Sequence, residues 1–268
     1  MGGFFGVASA NDCVCDLFYG TDYHSHLGTR RGGLAVSDGT GRFHRRIHDI
    51  TNAQFRSKFD DDIIKFRGKT GIGVISDGEL NPTEIVAMLI CRKDTIIEGI
   101  KYAQEVIKGS CSILLLIGDT IYAARDKYGR TPILLGKKQG AYAVSMESTA
   151  FPNLDYNLEY ELGPGEILEI TSREVICRKE PGNTMKICSF FWVYYGYPSS
   201  DYEGVNTESA RYRNGASMAE DDKDMLKDID SICGIPDSGI AHAIGYSNAS
   251  GKPYHRSFVK YTPTWPRS

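Results

Sequence analysis

The sequence predicts an α+β fold, in which helices accompany an antiparallel sheet layer, followed by the beginning of an α/β unit. Three observations predict it. Short apolar β runs recur between residues 112 and 178, separated by turn residues at the spacing of about 8–12 residues that is typical of antiparallel sheets. Two segments with helical periodicity precede those runs. A strand–loop–helix–strand pattern follows residue 230, and this pattern is typical of parallel strands.

Two strands are predicted near the start of the chain. The first is "FFGVAS" (4–9) and the second is "GGLAVSD" (32–38). The second strand closes at Asp38-Gly39, a dipeptide that favours a turn.

Two helices are predicted next. In "NPTEIVAML" (81–89), Asn81 can cap the helix, Pro82 suits its first position and Glu84 occupies the place of a capping-box acid. The segment "DTIIEGIKYAQEVIKG" (94–109) carries apolar residues at near-helical spacing and ends at a glycine, a common helix stop.

Six further β runs are predicted to form the antiparallel layer: "SILLLIG", "TIYAARD", "PILLG", "AYAVSM", "EILEI" and "EVICR". After residue 200 the pattern changes. We predict a helix over 206–222, a strand, tight loop and helix over 231–249, and a strand over 257–261. This βαβ order predicts parallel strands and a second domain, which we expect to be incomplete.

Composition excludes several classes of protein. The 268-residue chain has a net charge of −3 and a pI of about 6.1, so we expect no nucleic-acid partner. The apolar runs are too short to span a bilayer and no secretory signal is visible, so we expect no membrane association. Seven scattered cysteines indicate reduced thiols and a cytoplasmic protein. The CxC pair at 13 and 15 has no partner pair, so we expect no zinc site.

The segment "GIPDSG" (234–239) is the best local motif for a binding site. A strand ends there in an Asp-Ser-Gly turn that opens a helix, and free N–H groups at a helix start can hold phosphate. Gly239 would let a ligand approach closely. The alternative, favoured by local sequence alone, is that Asp237 and Ser238 only cap the helix.

Three other motifs have a structural and a functional interpretation. "ARDKYGRTPILLG" (124–136) is either a surface hairpin with a salt bridge worth little, which the segment alone favours, or an ordered loop that lines a pocket. "YHSHLGTRRGG" (23–33) contains a His pair that could bind metal, although we favour satisfied or exposed histidines, and an Arg-Arg-Gly-Gly turn that could hold an anion. The aromatic run "CSFFWVYYGYP" (188–198) is predicted to be a core or interdomain strand.

Seven segments occur in one characteristic order, and in that order the chain resembles the amidophosphoribosyltransferase family. These glutamine-dependent enzymes open purine biosynthesis. The segments are "LGTRRGG", "ARDKYGRTPILLG", "AVSMESTAF", "LGPGEI", "EGVNTESARYRNG", "GIPDSGIAHAIGY" and "FVKYTPTWPRS". The resemblance implies a glutaminase-like domain over 1–198, with the αββα sandwich of the N-terminal-nucleophile type. It also implies a partial phosphoribosyltransferase domain over 199–268.

The resemblance also implies a defective glutaminase site. The family's nucleophile is a cysteine directly after the initiator Met, and Gly2 stands at that position. Ser76 lies near the place of the arginine that grips the glutamine carboxylate, and Pro82 replaces an acidic residue that grips its amine. The Asn-Gly oxyanion segment is missing, so several tens of residues near 77–79 are expected to be lost. We therefore expect no glutamine hydrolysis.

For the transferase half, the resemblance assigns Asp237, Ser238 and Gly239 to the pyrophosphate of phosphoribosyl pyrophosphate, held with Mg²⁺. Lys260 and Arg267 would lie on a loop that closes over this substrate. Four weaker candidates for lining a pocket are Arg31, Arg125, Asp126 and Gly129. Cys188 matches a ligand of an iron–sulfur cluster in some members, but its co-ligands are missing, so no cluster is expected.

Three functions remain open from the sequence. The chain is an ammonia-dependent amidophosphoribosyltransferase, a non-catalytic homologue that binds a purine nucleotide or a partner, or a truncated inactive fragment. By analogy with the family, we expect a homo-oligomer.

Overall fold

A computed structural model describes residues 2–77 and 82–259. The described residues up to Cys188 form one compact unit, and those from Ser189 onward form a second. The sequence places the domain boundary ten residues later, between 198 and 199, and that boundary stays a prediction.

In its described part, the first unit contains eleven strands and four α-helices. The strands are β1 (Gly2–Ser9), β2 (Arg31–Ser37), β3 (Phe43–Asp49), β4 (Thr70–Ser76), β5 (Ile113–Ile117), β6 (Thr120–Ala124), β7 (Leu134–Lys138), β8 (Ala141–Ser145), β9 (Asn157–Glu161), β10 (Ile167–Ile170) and β11 (Val175–Lys179). The helices are α1 (Val14–Asp22), α2 (Phe55–Ile63), α3 (Pro82–Ile90) and α4 (Ile96–Val106).

Two antiparallel sheets are built from these strands. The larger sheet has the order β3-β2-β4-β1-β8-β7-β9, and the smaller has the order β11-β10-β6-β5. All pairs in both sheets are antiparallel, as the short β runs predicted. β1 lies near the centre of the larger sheet, between β4 and β8.

Three apolar clusters show that the unit is a four-layer αββα sandwich. Phe5 and Val7 face α1 and α2 on one side of the larger sheet. Ala8, on the opposite face of β1, packs between the two sheets. Ile100 of α4 packs with Ile113 and other residues on the outer face of the smaller sheet. The sandwich that the resemblance implied is thus confirmed.

The second unit is helical in its described part, with α5 (Thr207–Asp221) and α6 (Gly239–Ser250) and a two-stranded ribbon of β12 (Asp201–Tyr202) and β13 (Val205–Asn206). The two helices cross closely at two glycines. A Cβ on Gly215 would lie 1.9 Å from the carbonyl oxygen of His242, and one on Gly245 would lie 2.1 Å from that of Tyr212. Glycine is therefore required at both positions.

Two predictions for this unit need correction. The aromatic run forms a short π-helical segment at Phe191–Tyr195 instead of a strand, because the buried guanidinium of Arg211 binds the carbonyls of Trp192 and Gly196, both at 2.8 Å. The predicted βαβ pairing is reduced to one parallel bridge between Ile232 and Tyr254. Residues 257–259 are not in a strand, and the rest of that predicted strand lies outside the described residues.

No helix in the described ranges has the length and apolar character that crossing a bilayer requires.

Candidate functional site

The start of β1, where the sequence predicts a vacated nucleophile position, is closely packed around two glycines. Gly2 pairs with Ser76 of β4. A Cβ on Gly2 would lie 2.5 Å from the carbonyl oxygen of Ile75, and a Cβ on Gly3 would lie 2.6 Å from the Cβ of His24. Real Cβ contacts are not this short, so a cysteine at either position would need the neighbouring backbone or His24 to move.

Two histidines and a glutamate lie beside this end of β1. His26 Nε2 lies 3.0 Å from Glu147 Oε1, and the Glu147 side chain is fully buried. His24, also fully buried, has Nδ1 2.8 Å from the Gly20 carbonyl and Nε2 3.1 Å from the Ser145 hydroxyl. Burial lowers the pKa of His24, although the nearby Glu147 opposes the change.

The metal-binding alternative for the His pair, which the sequence disfavoured, has no support in these contacts. His26 is engaged with Glu147, and His24 donates to or accepts from groups of α1 and β8. Within residues 2–77 and 82–259, no group of three or more His, Cys, Asp or Glu side chains has the arrangement of a metal site. The satisfied histidines that the sequence favoured are what the structure contains.

Asp77 follows β4 and closes the same end of the sheet. Its carboxylate accepts hydrogen bonds from the backbone N–H of Thr29 at 2.5 Å and from the Thr29 hydroxyl at 3.2 Å. Burial tends to raise the pKa of Asp77, but the hydrogen bonds from Thr29 contribute to a net lowering. The place where the family arginine was expected is therefore occupied by a serine and a hydrogen-bonded aspartate.

Arg31 is the nearest sequence-predicted cation to this site. It is exposed at the first position of β2 and pairs across the strands with Ser76, which pairs in turn with Gly2. The register thus brings Arg31 to the end of the sheet where the predicted anion site would lie. Its role in binding an anion stays a prediction.

Cys13 does not replace the missing nucleophile. It precedes α1, is buried to 1% exposure, and burial together with Asp12 and Asp16 raises the pKa of its thiol. A thiol in such surroundings is protonated and inert.

Arg125, Asp126 and Gly129 form a buried structural loop after β6. Arg125 is fully buried, donates from Nε to the Thr131 carbonyl at 3.1 Å and from Nη2 to the Gly129 carbonyl at 2.7 Å, and also binds the Leu162 carbonyl. Gly129 has a φ of +63°, which favours glycine. The hydrogen bonds of Arg125 therefore order the loop. The interpretation of this segment as a surface hairpin with a weak salt bridge is wrong.

Asp126 completes this loop from the other side. Its carboxylate accepts the backbone N–H groups of Tyr128, Arg130 and Thr131 at 3.0–3.1 Å. These contacts explain the conformation of the loop, while a role for Arg125, Asp126 and Gly129 in lining a pocket stays a prediction.

The Asp237–Gly239 turn begins α6 in the second unit, and the Pro236–Asp237 peptide bond is cis. Ser238 occupies the cap position without a side-chain capping hydrogen bond, so the capping role for Ser238 is wrong. The N–H groups of Gly239 and Ile240 donate to the carbonyls of Ile235 and Asp237 at 3.0 and 3.1 Å. These two amides are thus already used by the turn.

The glycines of this turn have different roles. A Cβ on Gly234 would lie 2.6 Å from the Gly239 carbonyl oxygen, whereas a Cβ on Gly239 would meet nothing closer than 3.7 Å. Gly234 is required by packing, and Gly239 leaves open space beside the helix start. Lys260 and Arg267, the other predicted contacts to the substrate, lie outside the described residues.

Sequence analysis missed Glu147 and Arg211 as buried charged residues. Glu147 lies within the segment "AVSMESTAF", but its partner His26 is 121 residues away. Arg211 binds the backbone carbonyls of Trp192 and Gly196, and such acceptors leave no signal in the sequence.

Comparison with known proteins places this geometry in context. No protein-family model matches the chain. An amidophosphoribosyltransferase of Methanocaldococcus jannaschii is 26% identical over 97% of this chain and 69% of its own length. That of Bacillus subtilis is 32% identical over 66% of this chain but only 37% of its own length. The chain therefore spans little more than a third to about two thirds of these relatives.

Solved structures show the same fold. Glutamine phosphoribosylpyrophosphate amidotransferase from B. subtilis, complexed with ADP and GMP, superposes with a TM-score of 0.88 at 24% identity, over 97% of this chain and 67% of that one. A structure described as the allosteric regulatory enzyme of purine biosynthesis gives a TM-score of 0.86 at 24% identity, over 99% of this chain. Sequence relatives and fold agree, and the chain belongs to the amidophosphoribosyltransferase family.

Proposed function

We propose that this chain serves purine nucleotide biosynthesis as an amidophosphoribosyltransferase homologue that does not hydrolyse glutamine and draws its nitrogen from ammonia. The observation that carries the first part is the packing at the start of β1. Gly2 and Gly3 offer no nucleophile, and Ile75 and His24 occupy the space that a side chain there would need.

Glutamine hydrolysis needs a nucleophile, a base and donors for the developing oxyanion. The candidate thiol nearest in sequence, Cys13, is buried and its pKa is raised. The carboxylate of Asp77 stands at the end of β4, and an anion there disfavours a glutamine carboxylate. These three features support the loss of glutaminase chemistry independently of one another.

Binding of phosphoribosyl pyrophosphate is proposed at the Asp237–Gly239 turn. Gly239 leaves space for a diphosphate, the Ser238 hydroxyl makes no capping bond, and the start of α6 carries the positive end of the helix dipole. Mg²⁺ would bind together with the diphosphate, because phosphate oxygens and water molecules supply most of its ligands. The exposed Asp237 would be the protein carboxylate nearest to it in this turn. Lys260 and Arg267 would add cations on the diphosphate.

A second candidate function is nucleotide binding without turnover. It is favoured by one observation, that the Gly239 and Ile240 amides are already bonded to Ile235 and Asp237. A ligand at this turn would meet fewer free donors than a helix start usually offers. Such a chain would bind a purine nucleotide or its precursor and act on a partner.

One experiment separates these functions. The protein is incubated with phosphoribosyl pyrophosphate and Mg²⁺, together with ammonia or glutamine, while pyrophosphate and glutamate are measured. We expect pyrophosphate release with ammonia, and glutamate no higher than in a heat-killed control with glutamine. Thermal stabilisation by nucleotide without release would select the binding function. Glutamate formation above the control would overturn the proposal for the first unit.

A further inference from the structure

In the part of the chain that the structure describes, β5 is an open sheet edge without charged side chains to protect it. It is a terminal strand of the smaller sheet, and its sequence, ILLLI, contains no charge. The other three edges of the two sheets carry charged residues: β3 (FHRRIHD), β9 (NLEYE) and β11 (VICRK). Charged side chains are a common device against pairing at an edge. Among the described strands, β5 is the one edge of the two sheets without charged side chains, and this difference indicates that another strand pairs with it.

The backbone of β5 presents a definite set of hydrogen-bonding groups at this edge. Ile117 and Thr120 flank the two-residue turn to β6, and the pairing alternates from there. In such a hairpin Ile113, Leu115 and Ile117 bond to β6, so Leu114 and Leu116 direct their N–H and C=O groups outward. Among the described residues, no hydrogen bond satisfies these four groups.

Within residues 2–77 and 82–259, the larger sheet extends beyond β5 and has an apolar face that the smaller sheet does not cover. β4 packs across from β5, and β2 and β3 follow β4 in the larger sheet. A Cβ on Gly6 of β1 would touch Leu114 and Ile121 of the smaller sheet, whereas one on Gly33 of β2 would meet only atoms of its own sheet. The smaller sheet therefore covers β1 but not β2.

Two apolar side chains on this uncovered face are exposed. Gly33 pairs with Ile47 on one side and with Val74 on the other, so these residues share one face. Ile47 is 56% exposed and Val74 is 49% exposed. Arg45, on the same face of β3, makes no side-chain hydrogen bond or ion pair within residues 2–77 and 82–259.

The open edge and the uncovered face define one position, which we call the added-strand position: beside β5 and opposite β2 and β3. The β5 strand of a second copy does not fit there, because each copy carries its own β4 across from β5. The β4 strand of the second copy would collide with β2 of the first copy. A single extended peptide brings no such second layer.

We propose that the added-strand position binds an extended peptide from a partner, as a fifth strand of the smaller sheet. Main-chain groups of the peptide would pair with Leu114 and Leu116, which is the β-addition mode of peptide recognition. Its inward side chains would be aliphatic against Ile47 and Val74, with a carboxylate opposite Arg45. This site is in the first unit, and it is independent of the function proposed for the Asp237–Gly239 turn.

The test uses the full chain and a capped, fluorescein-labelled peptide, KTVTVTETK, in which valines and a glutamate alternate with threonines. We expect saturable binding by fluorescence anisotropy, weakened at least about tenfold by Ile47→Lys or Val74→Lys. The matched control is Ile64→Lys, because Ile64 is 69% exposed after α2 and lies outside the site. It should leave binding unchanged.

Two further arms address the mode of binding. A peptide N-methylated at alternate residues cannot pair with β5 and should not bind. Arg45→Glu should weaken binding of the glutamate peptide and restore it when the peptide carries lysine instead. Equal binding by the N-methylated peptide, equal binding by the Ile47→Lys variant, or no binding at all would overturn the proposal. So would a dimer in sedimentation equilibrium that Val74→Lys dissociates, because a second copy would then be the occupant.

Discussion

Gly3 lies directly against His24, so closely that a methyl group on Gly3 would come within 2.6 Å of the His24 Cβ. His24 cannot easily retreat, because its ring is held by the Gly20 carbonyl and the Ser145 hydroxyl. The first strand and the helix α1 that precedes His24 are thus joined by a contact that only glycine permits.

Gly3→Ala is expected to destabilise the protein by about 1–3 kcal/mol, the usual cost of overpacking a filled core. Urea unfolding followed by circular dichroism would measure it. Gly33→Ala is the control, because Gly33 also lies in the larger sheet but a Cβ there would meet only contacts of 3.5 Å or more. Equal stability of the two variants would show that the space beside His24 can open at no cost.

Stability is expected to fall as the pH drops below about 6.5, the pKa of an unperturbed histidine. Burial lowers the pKa of His24 in the folded protein, so the unfolded chain binds this proton more readily. Each such group contributes as much as about 1.4 kcal/mol per pH unit between its folded and unfolded pKa values.

The measurement for His24 is urea unfolding at pH 7.5 and pH 5.5. His24→Asn should lose less stability than the parent protein over this interval, because the group that binds a proton more readily in the unfolded chain is then absent. An unchanged pH dependence in His24→Asn would mean that other groups govern acid unfolding.

Arg125→Lys is expected to destabilise the first unit by roughly 2–4 kcal/mol, because a lysine cannot reach all three carbonyls and leaves buried acceptors unsatisfied. Arg178→Lys is the matched control. Arg178 is exposed and paired with Glu169 at 2.7 Å, so its replacement should cost less than about 1 kcal/mol. A small effect at Arg125 would indicate that water replaces the guanidinium.

Ser238→Ala is expected to leave the stability of the second unit within about 0.5 kcal/mol, because Ser238 makes no capping hydrogen bond. Asn206→Ala should cost about 1 kcal/mol, since the Asn206 side chain accepts the Ser209 N–H at 3.0 Å. Thermal unfolding with and without pyrophosphate and Mg²⁺ would then separate the roles. We expect Ser238→Ala to reduce the stabilisation by pyrophosphate, and an unreduced shift would count against a ligand contact.

The sequence predicted most of the strands that have a buried face, but it missed β4, although Ile75 of that strand is fully buried. β1 and β2 were found because their apolar residues pack against α1 and α2. β3 was missed because its sequence, FHRRIHD, is polar on both faces, and its inner face is uncovered. The aromatic run was misread because Phe, Trp, Val and Tyr favour strands, whereas Arg211 binds its carbonyls and stabilises a helical turn.

The candidate site was only partly predictable for a similar reason. The replacement of the family cysteine by Gly2 is visible in the sequence, but the contact of Gly3 with His24 depends on how α1 packs on β1. Arg125 was noticed as a loop residue, yet its burial could not be foreseen, because its acceptors are backbone carbonyls at three places between residues 129 and 162.

The crossing of α5 and α6 restricts how this part of the protein can change during evolution. At Gly215 and at Gly245 the volume of even one methyl group is taken by a carbonyl of the opposite helix. Substitution of either glycine by a larger residue is therefore not tolerated unless the two helix axes move apart. A homologous gene that encodes alanine at one of these codons would be expected to encode a wider helix pair, so the spacing could be inferred before its structure is solved.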